Sequence, residues 1–317
     1  MSVSVCIPTY NYGHLIGRAI SSVLAQKGPV SEILVLDNAS TDSTEKVVSQ
    51  FSDNRLRYVR SSVNIGFAAN LQRGLQLSNG DFVQFLCADD FLYPDYLSKT
   101  YALISSDPEI VFVHTGHHMV DREEKILEKR IYSWKKNLSG QAFLKQLAQF
   151  QISGVCLSSV LLRRRVLETA GGVDTDLDFI ADYGMWLKLC VQGKVGYVPE
   201  ALVGYRVHPG QATGIFIPGL KMRLAEKFMT QRKSFDAGPL EHTFLRQAFF
   251  QVFREWPKRR LAGACLKDLS AEAEGLKKKH PRDFPHFFFA LFFLLSSLPS
   301  EYLKKMRLFY WKIGRYA

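Results

Sequence analysis

Residues 2–42 read SVSVCIPTYNYGHLIGRAISSVLAQKGPVSEILVLDNASTD, and the spacing of apolar residues within them sets the fold class. Val3–Ile7 is a short apolar run, the pattern of a strand buried on both faces. Across His14–Gln26 the apolar residues Leu15, Ala19, Ile20, Val23 and Leu24 recur at helical spacing, and Glu32–Leu36 is apolar again. A helix over Asp42–Phe51 follows, capped from Ser40 or Asp42. Outward from there, Leu56–Arg60 reads as a strand, Phe67–Leu77 as a helix and Phe82–Leu86 as a fourth strand. Strand and helix alternate in units of roughly 25–30 residues, which predicts a parallel sheet with right-handed crossovers. The expected architecture is α/β: a mixed, mainly parallel sheet flanked by helices, with a Rossmann-like nucleotide-binding half. Ligands of such a sheet sit off the carboxyl ends of its strands.

The middle of the chain is less regular. Val111–His114 and Val155–Leu162 read as strands, Asp182–Gln192 as a helix, and Val195–Tyr197 with Ala201–Tyr205 as a strand pair. Composition changes near Gly214–Gly219, so residues 1–215 are expected to form one domain and residues 216–317 a basic, mainly helical appendage. The charge supports that division. Residues 1–220 hold 21 basic and 21 acidic residues, whereas residues 221–317 hold 20 and 9, so the whole net charge of +11 lies in the tail. An excess confined to one end points to an anionic surface as partner. With 47% hydrophobic and 22% charged residues, the chain is neither a disordered nor a coiled-coil protein. Cys6, Cys87, Cys156, Cys190 and Cys265 are too widely spaced for a zinc knuckle or a CxxC pair, and their odd number argues against a disulfide framework. The opening MSVSVCIPTYNYG has neither a basic n-region nor a long apolar core, so no signal peptide is expected and a cytoplasmic location is the default.

Polar residues collect at strand ends: Pro8-Thr9-Tyr10-Asn11, then Asp37-Asn38-Ala39-Ser40-Thr41-Asp42, then Ala88-Asp89-Asp90. Single members are explained by turn and cap chemistry. The pair Asp89-Asp90 is not, because two like charges at the mouth of a core strand are costly unless a cation lies between them. Asp37 could hold a ribose in a dinucleotide enzyme, but the turn after the first strand lacks G-x-G-x-x-G, and no P-loop is present. Phosphates would therefore be neutralised by a metal. His114, His117 and His118 lack a third ligand at zinc spacing, and Arg163–Arg165 reads as a solvated face.

The stretches VSVCIPTYNYGHLIGRAISSVLAQ, EILVLDNASTDST, NIGFAANLQRGLQLSNGDFVQFLCADD, AGGVDTDLDFIADYGMWLKL and VGYRVH occur in the order seen in the inverting family 2 glycosyltransferases of the GT-A fold. The chain resembles that family over about residues 2–210; the tail is not covered. The resemblance implies that Pro8, Thr9, Tyr10 and Asn11 contact a nucleotide and that Asp37 accepts from the ring nitrogen of uracil or thymine. It implies that Asn64, Gly66, Asn70 and Arg73 line the base and phosphate side. Asp89 and Asp90 match the DXD-type element, with Asp90 binding Mn²⁺ or Mg²⁺ and Asp89 helping to hold ribose or metal. His208 matches a further metal or diphosphate contact, and Asp182 the catalytic base, kept ionised at a helix N-terminus. Two departures stand out: Ala181 precedes the base where Glu is usual, and Cys87 stands where Asp is frequent.

The expected reaction is metal-dependent, inverting transfer of a sugar from a UDP- or dTDP-sugar donor to a glycan or lipid-linked acceptor in cell-surface polysaccharide assembly. Two alternatives were weighed. A sugar-1-phosphate nucleotidyltransferase would need a Gly-rich opening loop that the chain lacks. A non-catalytic module binding an anionic surface, nucleic acid included, would need aromatics interleaved with basic residues on a sheet. The tail instead carries Phe284–Ser300, 17 residues without Asp, Glu, Lys or Arg, followed by Lys304, Lys305, Arg307, Lys312 and Arg315 among aromatics. Segment 284–315 thus has the composition of a membrane-interface anchor on an anionic inner leaflet, or of a buried or homodimer-forming helix. Deleting residues 281–317 is expected to release the protein from anionic liposomes in a sedimentation assay while donor hydrolysis persists. Equal sedimentation of both forms would place the segment in a core or dimer instead.

Overall fold

A computed structural model of the chain describes residues 1–149 and 155–211; the composition change at Gly214–Gly219 and segment 284–315 lie outside them. The first strand, β1 (Val3–Thr9), is buried along its whole length and sits between two parallel neighbours. Its Cys6 lies opposite Leu34 of β2 (Val30–Asp37) and Phe85 of β4 (Phe82–Phe85). Outside β2 lies β3 (Leu56–Arg60), also parallel. Helices α1 (Ile16–Leu24), α2 (Thr44–Val48) and α3 (Phe67–Leu77) make the crossovers. Ile16, Ala19, Ile20 and Val23 form the buried stripe of α1, at the i, i+3, i+4, i+7 spacing that an amphipathic helix on a sheet requires.

The second half continues the same sheet. After β5 (Phe91–Leu92) come α4 (Tyr96–Ser106), β6 (Ile110–Val120), β7 (Ile126–Arg130) and β8 (Asn137–Ser139). Then follow α5 (Gly140–Gln149), β9 (Val160–Arg163), α6 (Arg164–Thr169), α7 (Ala181–Cys190) and β10 (Lys194–Arg206). The strand order is β3-β2-β1-β4-β9-β6-β10-β5, with β7 beside β6 and β8 beside β10. Strand β9 runs antiparallel between β4 and β6, which makes the sheet mixed. A second packing centre joins Phe112 to Phe143 and Trp186 at ring-centroid distances of 5.4 and 5.1 Å.

Several expected elements change shape. Val195–Tyr197 and Ala201–Tyr205 are not a strand pair but one strand, β10, whose register against β6 shifts between Val198 and Ala201 and again before Gly204. Those irregularities carry the chain past Pro199 without ending the strand. The strand expected over Val155–Leu162 starts only at Val160, because Leu157–Ser159 forms a 3₁₀ turn. The helix expected over Asp42–Phe51 contracts to Thr44–Val48, and it is Asp42, not Ser40, whose carboxylate accepts from the Thr44 N–H at 3.0 Å. The Arg163–Arg165 run is not simply a solvated face. Arg163 donates to the Ile104 and Ile110 carbonyls, Arg164 donates to that of Gly80 and pairs with Glu168, and Arg165 alone is exposed.

Strand β10 positions the site. It runs parallel to β6 over its whole length, and its Val203 and Gly204 pair antiparallel with Leu92 and Phe91. The chain beyond Arg206 therefore emerges beside the Asp89-Asp90 turn that leads into β5. Gly204 is required there, since a Cβ would fall within the Phe91 ring. Gly204→Ala is expected to destabilise the fold by about 1–3 kcal/mol through overpacking, read as a lowered denaturation midpoint. An unchanged midpoint would mean that Phe91 moves freely.

Candidate active site

The loops after β1 and β2 are tied to one another. The Asn11 N–H donates to Ser40 Oγ at 2.9 Å, and Asn11 Oδ1 accepts from the Thr41 N–H at 2.8 Å. Asn11 holds φ = +60°, a conformation that Asn tolerates better than most residues. Pro8 and Thr9 are buried beneath this junction, whereas Tyr10 is exposed. Thr9 Oγ1 is a buried hydroxyl with no hydrogen-bond partner.

Asp37 lies at the floor, and its side chain is fully inaccessible. It accepts from the Tyr58 hydroxyl and from the Ser40 N–H, the latter at 2.9 Å, and Arg60 Nε stands 3.5 Å away. The carboxylate expected to meet a nucleobase is therefore turned inward and organises the loop. Asn70 is likewise internal, donating to the Leu36 carbonyl at 2.8 Å. Arg73 donates to the Arg60 carbonyl at 3.1 Å, and its Nη1 is buried without a partner. Asn64 is exposed; its Oδ1 accepts from Asn38 Nδ2 at 2.8 Å and from the Gly66 N–H at 3.0 Å. Asn38, which the sequence reading passed over, fixes this loop with both ends of its amide, since its Oδ1 also accepts from the Ile65 N–H at 2.8 Å.

The two neighbouring aspartates divide their labour. Asp90 is 3% exposed, with Oδ2 accepting from Ser158 Oγ at 2.6 Å and Oδ1 from the Arg206 N–H at 2.9 Å. Burial, then the charge of Asp89, hold its carboxyl well above the usual range. Asp89 is half-buried, and its Oδ2 lies 3.1 Å from His208 Nε2. Ligand atoms of Cys87, Asp89 and Asp90 lie within 4.8 Å of one another. Burial and both aspartates push the Cys87 thiol up, and a soft sulfur suits a hard Mn²⁺ or Mg²⁺ less well than the carboxylate oxygens beside it. This donor set fits a divalent cation, with Asp89 facing outward and Asp90 acting mainly as the inner brace. Arg206, 2% exposed, braces the same turn: its Nε donates to the Asp89 carbonyl at 2.9 Å, and Nη1 donates to those of Asp121 and Arg122.

Asp182 occupies the first turn of α7. It accepts from the Tyr183 N–H at 2.9 Å, yet burial dominates and pushes its carboxyl up to about 7. The expectation that a helix N-terminus keeps it firmly ionised is thereby corrected, because desolvation outweighs the dipole. The Tyr183 phenol is raised by burial and then by Asp182 and Tyr205. Gln211 Nε2 donates to Tyr205 Oη at 2.8 Å, Gln211 Oε1 accepts from the His208 N–H at 3.0 Å, and His208 meets Asp89. Tyr12 closes this side, edge-on to His208 with centroids 5.9 Å apart.

The family model for glycosyl transferase family 2 matches residues 4–171, more than half of the chain. The chain belongs to that family. Family 2 proteins related to it include an uncharacterized glycosyltransferase of Rickettsia typhi, 28% identical over 67% of this chain and 65% of that protein. The abequosyltransferase RfbV of Salmonella typhimurium is 27% identical over 84% of each chain. The stretch shared with the Rickettsia protein, like that shared with a Mycobacterium tuberculosis relative, spans 65% of those proteins' length. Among solved structures, S. aureus TarS in complex with UDP-GlcNAc superposes with a TM-score of 0.65 at 17% identity, over 88% of this chain and 80% of that one. The fold is GT-A.

Within this family 2 frame, Ala181 in place of the usual Glu is fully buried, so the position packs the core. Of the three histidines of β6, His114 is stacked on Tyr197 at 4.6 Å, and burial lowers it to about 3 and His117 to about 4. Arg206, Ser158 and Tyr12 were not legible as site residues, because their roles depend on contacts across 68 to 117 positions or on ring packing alone. Since Asp182 is raised from 3.8 to about 7, its contribution to stability is present below pH 4 and lost as the pH rises through 7. Asp182→Asn is therefore expected to gain thermal stability relative to the wild type between pH 4 and 7, with the gap constant above about pH 8. A gap independent of pH would show that Asp182 titrates normally.

Proposed function

We propose that the protein is an inverting glycosyltransferase that moves a sugar from a nucleotide-diphosphate donor, UDP or dTDP, to a glycan or lipid-linked acceptor of a cell-surface polysaccharide. The observation that carries this reading is the contrast between two carboxylate centres. Asp182 is raised to about 7, the range in which a carboxylate can take a proton from an attacking hydroxyl. Asp89, with His208 at 3.1 Å and Asp90 behind it, is suited to hold Mn²⁺ or Mg²⁺. Such a cation would neutralise charge on a departing nucleoside diphosphate. Single displacement inverts the anomeric centre, and one base with one stabilised leaving group is all that it needs.

The roles of individual residues follow. Asn11, Asn64, Gly66 and the exposed Tyr10 are the groups left to meet the nucleotide, while Pro8, Thr9, Asp37 and Asn70 shape the floor on which it rests. Arg73, with a buried unpartnered Nη1, is retained on the phosphate side. Support for a nucleotide-sugar donor comes from TarS, solved with UDP and with UDP-GlcNAc, for sugar transfer from the abequosyltransferase RfbV, and for a polysaccharide acceptor from the putative teichuronic acid biosynthesis glycosyltransferase TuaG of Bacillus subtilis. No observation favours a nucleotidyltransferase or a non-catalytic module. A peripheral place on the inner face of the membrane, division into domains at about residue 215 and a homodimer through the tail belong to this reading on composition alone. Among the described residues, no helix is long and apolar enough to cross a membrane.

Transfer is read with a panel of UDP-, dTDP- and GDP-sugars in Mn²⁺. Asp182→Asn is expected to lose roughly a hundredfold or more in rate while metal-dependent nucleotide binding by calorimetry persists. Asp89→Ala should do the reverse and lose Mn²⁺-dependent binding with its stability intact. Asp90→Ala should also lower the melting temperature, since Ser158 and the Arg206 N–H would lose their acceptor. Near-normal transfer by Asp182→Asn would end the assignment of the base.

A further inference from the structure

Four residues before Asp182 the backbone takes a conformation that an L-residue rarely adopts. Asp178 has φ = +40° and ψ = −115°, within the short 3₁₀ stretch Thr175–Ile180 that feeds α7. A non-glycine residue persists in such a conformation only when its surroundings over-determine it, and here they are specific. Asp178 Oδ1 accepts from the Phe67 N–H at 3.2 Å, at the first residue of the 11-residue helix α3. A carboxylate is electrostatically favoured at that helix end. The next side chain, Phe179, stacks on Phe67 with centroids 6.1 Å apart and planes 22° from parallel.

The partner segment is itself fixed. Gly66 stands at φ = +87°, its carbonyl accepts from Asn38 Nδ2 at 3.3 Å, and its N–H donates to Asn64 Oδ1. Nearby, Gln72 of α3 accepts from the Val173 N–H at 2.7 Å, and Lys188 of α7 ties the Gly172 carbonyl to Asp174. These ties hold the ends of segment 172–188; between them Leu177 is fully buried, and Asp178 and Phe179 reach Phe67. The Asp178–Phe67 contact thus spans 111 positions and joins the nucleotide-side loop, residues 64–67, to the segment that carries Asp182.

We infer that Asp178 is a positioning residue: its strained backbone and its hydrogen bond to Phe67 set the placement of Asp182 against the donor loop. This rests on the reading of Asp182 as the base. Asp178 itself touches no reacting atom. Its carboxylate needs only to accept, so an amide oxygen can replace it. Glycine would relieve the backbone but remove the acceptor.

The test compares Asp178→Asn, Asp178→Ala and Asp178→Gly in the full-length protein, with Asp182→Asn alongside. Asp178→Asn is expected to keep wild-type kcat. Alanine and glycine should each lower kcat tenfold or more with donor KM changed less than twofold. The rising limb of their pH–rate profiles should move below its wild-type position as Asp182 becomes wetter. Hydrogen exchange gives a readout independent of transfer: amides of 66–68 and 181–185 should exchange faster in the alanine and glycine variants and unchanged in the asparagine variant. Wild-type exchange in both segments and an unmoved kcat in Asp178→Ala would overturn the inference, as would failure of Asp178→Asn to rescue. If Asp182→Asn is inactive while Asp178→Ala is normal, only the positioning role falls. If Asp182→Asn transfers normally, the base assignment falls, and exchange alone decides the contact.

Discussion

The site depends on one buried guanidinium. Arg206 reaches the Asp89 carbonyl and two carbonyls of the 121–122 turn, pairs with Glu124 at 3.1 Å, and donates its own N–H to Asp90. Two adjacent carboxylates at a strand mouth would otherwise repel one another in a poorly solvated place. The permanent positive charge beside them makes the turn tenable, and its planar fork fixes where the backbone of Asp89 must lie. Removing the guanidinium would take the donor from three carbonyls, those of Asp89, Asp121 and Arg122, at once.

The aspartates of the candidate site sit in three different environments. Asp89 is half-open and close to an imidazole, Asp90 is braced from within, and Asp182 is desolvated with one backbone donor. Burial raises the carboxyls of both Asp90 and Asp182, the first well above the usual range and the second to about 7. Strain contributes as well: Asp178 stores about 1–3 kcal/mol in a backbone conformation that glycine would adopt freely.

Alternation of apolar runs and helical stripes was enough to read β1 to β4 and the helices between them, because buried parallel strands advertise themselves as continuous apolar segments. The strand end that precedes Asp89 was legible for the same reason, and Asp182 from the helical pattern that follows it. What could not be read was direction. Asp37 at the end of β2 and Asn70 in the first turns of α3 stand where a ligand could be met, yet both turn inward to satisfy neighbouring backbone, and no local pattern separates the two cases. Strand β10 was divided in two because Pro199 interrupts its apolar pattern, while the register shifts that accommodate it are visible only against β6. The 3₁₀ turn at Leu157–Ser159 was hidden within an apolar run that suits a strand equally well.

That β10 closes the sheet has a consequence for the order in which the domain is made. The parallel strands β1 to β4 are complete by residue 85, and their pairings are local by the standards of this fold. Ser158 reaches Asp90 from 68 positions on, and the remaining braces of the Asp89-Asp90 turn arrive 116 to 119 positions after the aspartates that they hold. Chains fold from the amino end during synthesis, and long-range contacts form last because loop closure must precede their reward. A nascent chain can therefore carry the nucleotide-side loops in place while Asp89 and Asp90 still stand as unbraced, mutually repelling charges. The turn is completed late, with the emergence of residues 206–208, so incomplete products of translation are sheets whose Asp89-Asp90 turn is unfinished.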